Sequence, residues 1–199
     1  ECDRKLRTND GIKWGVMENL GISLCGKTLG IVGMGRIGKA VARRAVALGM
    51  NIIYFNRNPL DKETETKLKV RYATLEQLLS ESDVISLHVP LNESTFHLIN
   101  ENTFRLMKPS AILINTARGP VVDETALVKA LTNHKLFGAG LDVFEHEPVI
   151  PEDLKKLDNV VLSPHNGTGT IDDRNEMSRF ASRNILRFFE GDKNISRVN

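Results

Sequence analysis

The chain is poor in the residues that staple or decorate small folds. Two of its 199 residues are cysteines, Cys2 and Cys25, and one is tryptophan, Trp14. Two thiols make neither a disulfide framework nor a cysteine-rich metal site, so no metal is expected. No apolar run approaches the roughly 18 residues of a membrane-spanning helix, and the opening residues carry no signal-peptide pattern. A reducing cytoplasm is the expected compartment. Charge of one sign is lacking too: 27 Lys and Arg stand against 25 Asp and Glu, a net charge of +2, with no basic run. Neither nucleic acid nor a membrane surface is an expected partner. No internal repeat or low-complexity stretch appears. The chain opens Glu1-Cys2-Asp3-Arg4-Lys5, without Met, and is expected to be a piece of a longer protein.

What is present is apolar and patterned. Hydrophobic residues make up 41%, enough for one compact domain with a sizeable core. The organising stretch is Gly33-Met34-Gly35-Arg36-Ile37-Gly38. The apolar run Leu29-Gly30-Ile31-Val32 precedes it, an amphipathic segment from Arg36 to Gly49 follows, and a second apolar run is Ile52-Ile53-Tyr54-Phe55. That order predicts strand, glycine turn, helix, strand. Gly33 permits the tight turn, Gly35 lets backbone approach a pyrophosphate, and Gly38 lets the helix pack close to the strand. The free N–H groups of the first helical turn then face the phosphates. The glycine spacing alone is a weak signal; its position between a strand and a helix makes it a dinucleotide-binding turn.

Strands are predicted over Thr28–Val32, Ile52–Phe55, Val70–Ala73, Val84–Leu87, Ala111–Ile114, Phe137–Val143 and Val160–Leu162. Glu1–Arg7 reads as the end of a polar helix, followed by a loop at Asn9-Asp10-Gly11. Ile37, Val41, Ala45 and Leu48 recur at helical spacing on the helix after the turn, which Gly49 ends. Asp61–Lys69 is charged and expected to be exposed. Thr74-Leu75-Glu76-Gln77 has capping-box spacing and starts a helix through Leu79. Further helices are expected over Asn100–Met107, over Glu124–Asn133 with Asp123 as cap, and from Ile171 to about Glu190. Helices alternating with continuous apolar runs predict a Rossmann-type α/β fold, a doubly wound parallel sheet with helices on both faces.

In such a sheet, ligands sit beyond the carboxyl ends of the strands. Polar residues collect there: Asn56-Arg57, His88, Asn115 to Arg118, Asp142 to Glu147, and His165. A lone Arg is usually a surface charge and a lone His a structural one; several strand ends in polar chemistry fit a site better. At these residues the chain resembles the nucleotide-binding domain of the D-2-hydroxyacid dehydrogenases. The resemblance is carried by Gly26 to Gly38, His88-Val89-Pro90-Leu91, Asn115-Thr116-Ala117-Arg118-Gly119, Gly140-Leu141-Asp142-Val143-Phe144 and Ser163-Pro164-His165. It implies three catalytic residues: Arg118 after the Asn-x-Ala pattern, Glu147 directly before a Pro, and His165 after Ser-Pro. It also implies a cofactor site of Gly33, Gly35, Arg36, Ile37 and Gly38, then Asn56, Arg57 and Asn58, then His88, Val89, Pro90 and Thr95. Thr116, Ala117, Arg118, Asp142, His165 and Gly167 complete it at the nicotinamide end.

Elementary chemistry agrees with those roles. Reducing a 2-oxo acid needs a cation for the carboxylate and carbonyl, a proton donor and a hydride. Arg118 offers a forked, charge-assisted contact to an α-keto carboxylate. His165 can protonate a developing alkoxide, and Glu147 can hold the imidazole in the right tautomer. Two departures stand out. After His165 the chain reads Asn166-Gly167-Thr168, where the family often has an apolar residue before the Gly. The resemblance also implies an N-terminal substrate lobe of roughly a hundred residues, to be joined by residues 171–199, that this sequence lacks. Residues 1–199 are therefore expected to be the NAD(P)-binding domain, weak or inactive alone, and to form a homodimer.

An Asp or Glu after the second strand would accept from the ribose 2′-hydroxyl of NAD and repel the 2′-phosphate of NADP. That position is Asn56, and Arg57 follows it. Asn56-Arg57-Asn58 is more similar to the NADP-using glyoxylate and hydroxypyruvate reductases than to the NAD-using phosphoglycerate dehydrogenases. NADP is the preferred cofactor, with NAD the alternative. Competing readings are a phosphoglycerate dehydrogenase, which Asn56 speaks against, and a cofactor-sensing corepressor. The corepressor reading is not excluded by an intact Arg118, Glu147 and His165, and turnover of 2-oxo acids discriminates against it.

Overall fold

The computed structural model describes residues 2–8 and 13–196. Glu1, the predicted Asn9-Asp10-Gly11 loop and the last three residues lie outside the described residues. Seven strands, β1 (Thr28–Val32), β2 (Asn51–Phe55), β3 (Val70–Tyr72), β4 (Val84–Leu87), β5 (Ile112–Asn115), β6 (Gly138–Leu141) and β7 (Val160–Leu162), form one sheet. Every pairing is parallel, and the order is β3-β2-β1-β4-β5-β6-β7. The winding reverses between β1 and β4, so the loops after these two strands diverge and leave a crevice at the carboxyl edge.

The helices are α1 (Cys2–Thr8), α2 (Arg36–Ala47), α3 (Lys62–Leu68), α4 (Leu75–Glu81), α5 (Glu101–Phe104), α6 (Glu124–Thr132), α7 (Glu152–Lys155) and α8 (Ile171–Phe189). Side-chain alternation along the strands feeds two apolar clusters. Ile31, Ile52 and Tyr54 point to the side of α2, with Ala42 and Ala45, while Val32, Ile53, Ile85 and Leu113 pack with Leu78 and Leu127 on the other side. Gly30 is required for that second layer: a Cβ there would lie 2.6 Å from Leu78 Cδ2. Among the described residues no helix is long and apolar enough to cross a membrane.

Several local expectations hold. Thr74 Oγ1 accepts from Gln77 N at 3.2 Å, and Gln77 Oε1 accepts from Thr74 N at 3.1 Å, a closed capping box. Asp123 Oδ1 caps α6 through Ala126 N at 2.9 Å. Gly49 adopts φ +79 just past α2, the left-handed turn that ends a helix.

Others are corrected. Of the expected α2 face, Ala45 is buried and Val41 packs against the core, but Ile37 and Leu48 do not join it; Gly38 and Ala42 complete the buried face. Small residues let the helix lie close on the sheet, and Ile37 and Leu48, at its two ends, are 68% and 57% exposed. The Asp61–Lys69 segment is not simply an exposed charged stretch. It forms α3, with Asp61 Oδ1 accepting from Thr64 N at 2.7 Å, and it buries Glu65 and Leu68. The Asn100–Met107 helix is a single turn capped by Asn100, because Lys108-Pro109 follows and the residue before Pro disfavours helix. The strand predicted over Phe137–Val143 is shorter, β6. α7 and a 3-10 turn at Gly119–Val121 carry too few periodic residues to have been expected.

Glu65 is buried because Tyr54 needs it. Tyr54 Oη donates to Glu65 Oε1 at 2.8 Å and accepts from Leu60 N at 2.7 Å, while Lys62 Nζ donates to Glu65 Oε2 at 2.7 Å. Burial, together with the Glu65 charge, pushes the Tyr54 hydroxyl up to about 12. This knot fixes the stretch from Asn56 to Leu60 at the carboxyl end of β2. Tyr54→Phe is expected to lower unfolding free energy by about 1–3 kcal/mol, the cost of leaving a buried partner unsatisfied. Urea denaturation measures it; a change below about 0.5 kcal/mol would show that the hydroxyl holds nothing.

Candidate active site

The three glycines of the β1–α2 turn have three different surroundings. Gly33 has φ +101, and a Cβ there would lie 2.6 Å from the His88 carbonyl oxygen at the end of β4. A Cβ on Gly38 would lie 2.3 Å from the Gly33 carbonyl oxygen. A Cβ on Gly35 would meet no protein atom within 4 Å. Gly33 and Gly38 are therefore demanded by the fold, and Gly35 keeps open a space outside it. Gly35 is also the N-cap of α2 and supplies no side-chain cap, so the first-turn N–H groups face that space as a positive helix end.

The space is continuous with a cleft of two parts. One, about 720 Å³, runs from Asn56, Arg57 and Asn58 past Gly33 and Gly35 to His88, Val89, Pro90 and Thr95. The other, about 370 Å³, shares His88, Val89 and Pro90 and extends past Ile37 to Thr116, Ala117 and Arg118. A cavity of about 710 Å³ also lies at the opposite edge, beside Thr28, Asn51 and Val70 at the strand starts. It holds none of the predicted residues and no helix N-terminus opens onto it, so the carboxyl-edge cleft is the candidate site. Arg36 and Gly38 do not line the cleft: Gly38 is packed beneath the turn.

At the β2 end, Asn56 Oδ1 accepts from Met34 N at 2.7 Å, which ties this side chain to the glycine turn. Its amide nitrogen has no protein partner among the described residues. Arg57 is exposed and its Nη2 lies 3.5 Å from Ser94 Oγ across the cleft mouth. Ser94 was not expected from the sequence; the signal available was Asn92-x-Ser94, whose Asn Oδ1 accepts from Ser94 N at 3.0 Å and fixes the turn. Thr95 Oγ1 donates to Pro90 O at 2.7 Å and so holds the same loop. His88 Nε2 lies 2.9 Å from Ser86 Oγ, and burial lowers its pKa, so the ring is neutral near neutral pH.

At the other end, buried Asn115 shapes the turn that carries Arg118. Its Oδ1 accepts from Ala117 N at 3.1 Å and its Nδ2 donates to Arg118 O at 3.0 Å. Arg118 itself is exposed. Glu147 and His165 meet directly: His165 Nδ1 lies 2.8 Å from Glu147 Oε2, and Glu147 Oε1 accepts from Phe144 N at 2.9 Å. A carboxylate only accepts, so Nδ1 carries the proton and Nε2 is left for other chemistry. The His165 hydrogen bond, followed by that from Phe144 and the charges of His165 and Arg118, holds the Glu147 carboxyl below its ordinary range. Arg118, Glu147 and His165 are thus within one electrostatic neighbourhood. Asp142 lies beneath, accepting from Asn166 N and Gly167 N at 3.0 Å each. Burial works against its ionisation, yet hydrogen bonds from Ser163, Asn166 and Gly167 outweigh it and keep the carboxyl low. Asn166, unusual by sequence, accepts from Ser163 Oγ at 2.7 Å and closes the turn before Gly167.

Because the folded-state pKa of Glu147 is depressed, its pairing stabilises the protein above its ordinary value of 4.5 and that contribution is lost as pH falls through the depressed value. The melting temperature of the chain is therefore expected to exceed that of Glu147→Gln near pH 6, with the gap closing toward pH 3. A gap independent of pH would remove the ion pair as its cause.

The sequence model of the D-isomer-specific 2-hydroxyacid dehydrogenase NAD-binding domain matches residues 1–167. A glyoxylate reductase of Thermococcus litoralis is 50% identical over 196 residues, covering 96% of this chain and 59% of that protein. The crystal structure of a glyoxylate reductase from Paecilomyes thermophila superposes with a TM-score of 0.85 at 43% identity, over 93% of this chain and 55% of the other. A D-isomer-specific 2-hydroxyacid dehydrogenase of Lactobacillus delbrueckii, solved in an NAD-complexed form, gives a TM-score of 0.84 at 33% identity over 99% and 62%. The chain thus spans less than two thirds of the length of these relatives. It belongs to the D-isomer-specific 2-hydroxyacid dehydrogenase family, and the part of that family's architecture it carries is the NAD-binding domain.

Proposed function

We propose that this chain is the cofactor-binding half of an oxidoreductase acting between NADP(H) and a small 2-oxo or 2-hydroxy acid such as glyoxylate or hydroxypyruvate. The observation that carries the reading is the His165–Glu147 contact of 2.8 Å, with Arg118 close enough to depress the same carboxyl. The residues present fit a dinucleotide. Gly35 holds open the space over the α2 N-terminus for a pyrophosphate, and the cleft runs from there to Arg118 in one direction and Asn56 in the other. A bound nicotinamide supplies the hydride. In the direction of reduction Arg118 binds the substrate carboxylate and polarises its carbonyl, His165 gives its Nε2 proton to the forming alkoxide, and Glu147 holds the imidazolium. Asp142 orders the turn that carries Gly167 beside the nicotinamide end.

NADP is preferred over NAD in this reading because Asn56 presents no carboxylate to repel a 2′-phosphate, and Arg57 with Ser94 offers a cation and a hydroxyl where that phosphate would lie. The relatives' greater length supports a second lobe that covers the substrate, joined by residues 171–199. α8 buries no residue within this chain.

Two titrations of the 199-residue chain test the reading. NADPH is expected to raise the melting temperature by mass action. Arg57→Ala is expected to weaken NADPH about tenfold to a hundredfold, the worth of a charged hydrogen bond, and to leave NADH nearly unchanged. Equal losses for both cofactors would remove Arg57 from the 2′-phosphate, and no melting shift with either cofactor would remove the cleft as their site. Loss of NADPH absorbance with glyoxylate or hydroxypyruvate is expected to be slow or absent in this chain and rapid in the protein carrying the substrate lobe, where hydride and carbonyl are held together. No turnover there would favour a cofactor-sensing protein.

A homodimer is part of the same proposal. Trp14 is not tucked against the domain: it is 86% exposed, and Val16, Met17, Leu20 and Ile22 beside it are exposed too. An apolar patch of that length is a natural anchor for a second copy. Light scattering behind size exclusion is expected to give a dimer, and Trp14→Ser to shift it to monomer. A wild-type monomer at high concentration would show that this segment is not the interface.

A further inference from the structure

Two carboxylates outside the Arg118, Glu147 and His165 set face each other behind it. Glu124 opens α6 and is buried; Glu145 lies in the loop after β6, two residues before Glu147. Each accepts from the other's backbone: Glu124 N donates to Glu145 Oε2 at 3.2 Å, and Glu145 N donates to Glu124 Oε1 at 3.3 Å. The second oxygen of Glu145, Oε1, meets His97 Nε2 at 2.7 Å, and the His97 ring stacks on Phe96 with centroids 4.0 Å apart. Placing two carboxylates this close is unfavourable in itself. Burial and the neighbouring Glu145 charge push the Glu124 carboxyl above its ordinary range. What the arrangement fixes is one peptide, Phe144–Glu145.

Phe144 stands at one end of that peptide and is shared by both halves of the site. Its N–H, which belongs to the preceding Val143–Phe144 peptide, donates to Glu147 Oε1 at 2.9 Å and so orients the carboxylate that meets His165. Its other side bears on Gly119, where a Cβ would lie 1.8 Å from Phe144 O and 2.5 Å from Glu145 N. The backbone next to Arg118 therefore rests on the same residue, Phe144, that aims Glu147. We propose that Glu145, clamped by Glu124 and His97, is a positioning residue that sets Glu147 against His165 and holds both in register with Arg118. The inference rests on reading Arg118, Glu147 and His165 as the reacting set, while the hydrogen-bond geometry behind it does not.

The test is nitrogen-15 NMR of the histidines in the 199-residue chain, without cofactor or substrate. Wild-type His165, when neutral, is expected to carry its proton on Nδ1. Glu147→Gln defines the spectrum with the charged partner gone. Glu145→Ala is expected to move the Nδ1 to Nε2 proton ratio toward that reference by about tenfold, as expected for loss of a charge-assisted hydrogen bond. Glu145→Gln, which keeps an acceptor for Glu124 N–H, is expected to restore most of it. Should the alanine variant lose its melting transition, His97→Ala removes only the outer clamp and is expected to give a smaller shift in the same direction. An unchanged His165 spectrum in a folded variant overturns the proposal, as does a Gln variant as altered as the Ala variant. Failure of NADPH to bind the wild type would strike the functional reading and leave this spectrum untouched.

Discussion

The constraint on which the cleft depends is backbone against backbone at the β1–α2 turn. Gly33 touches the His88 carbonyl and Gly38 touches the Gly33 carbonyl, so the ends of β1, β4 and α2 are locked within atomic contact of one another. Any side chain larger than hydrogen at either position has to move main chain, which no rotamer can relieve. From this lock follows the placement of everything else at the carboxyl edge. The α2 N-terminus opens at Gly35, which keeps the space over it clear, and the β4 loop leaves at His88. The crevice opens where the winding direction changes, between β1 and β4. Gly35, free of that lock, is the one glycine of the three whose absence of a side chain serves the space outside the protein.

The same contrast explains how much was legible in the sequence. Strands were found because both faces of a parallel sheet are covered, so each reads as an unbroken apolar run. Caps were found because Thr74, Asp123 and Gly49 act through their own neighbours in the chain. The candidate site residues legible in the sequence follow strand ends in the structure, as with Asn56, His88, Arg118 and His165. What was missed acts across the chain. The two ends of the α2 face, Ile37 and Leu48, were misassigned because the sheet rewards small residues such as Gly38 and Ala42, and periodicity weights large ones. Glu65 reads as one more charge in a polar segment until Tyr54, eleven positions earlier, is known to need an acceptor. Ser94 has only the Asn92-x-Ser94 turn as a local sign, and Glu145 reads as one of a run of polar residues; their partners, Arg57, Glu124 and His97, are 37, 21 and 48 positions away.

The polar residues of the site divide by burial, and the division has a physical sense. Asn115, Asp142 and Glu124 are buried and each is satisfied by backbone groups. They shape turns, and their hydrogen bonds work at full strength because little water competes. Arg118, Glu147 and His165 stand at the surface, and the last two side chains are 35% and 51% exposed. The buried polar groups and backbone thus hold the exposed side chains from below: Asn115 under Arg118, and the Phe144 N–H under Glu147.

Exposure of that degree limits what the upper layer can do unaided. A surface ion pair is worth at most about 1 kcal/mol, and salt screens charges beyond about 8–10 Å. A reaction that develops negative charge on a substrate oxygen gains far more from the same Arg118 and His165 once water is excluded, because their fields are then undiluted. The chain spans about 59% of the length of its Thermococcus litoralis relative. It also carries apolar surface that nothing within it covers: Phe180, Leu186 and Phe189 on α8 are all more than half exposed. Binding a dinucleotide needs one wall, a helix N-terminus and a cleft, all of which lie within the described residues. In the proposed reaction, lowering the barrier to hydride transfer needs the dielectric to fall around Arg118 and His165, and among the described residues both remain exposed to water.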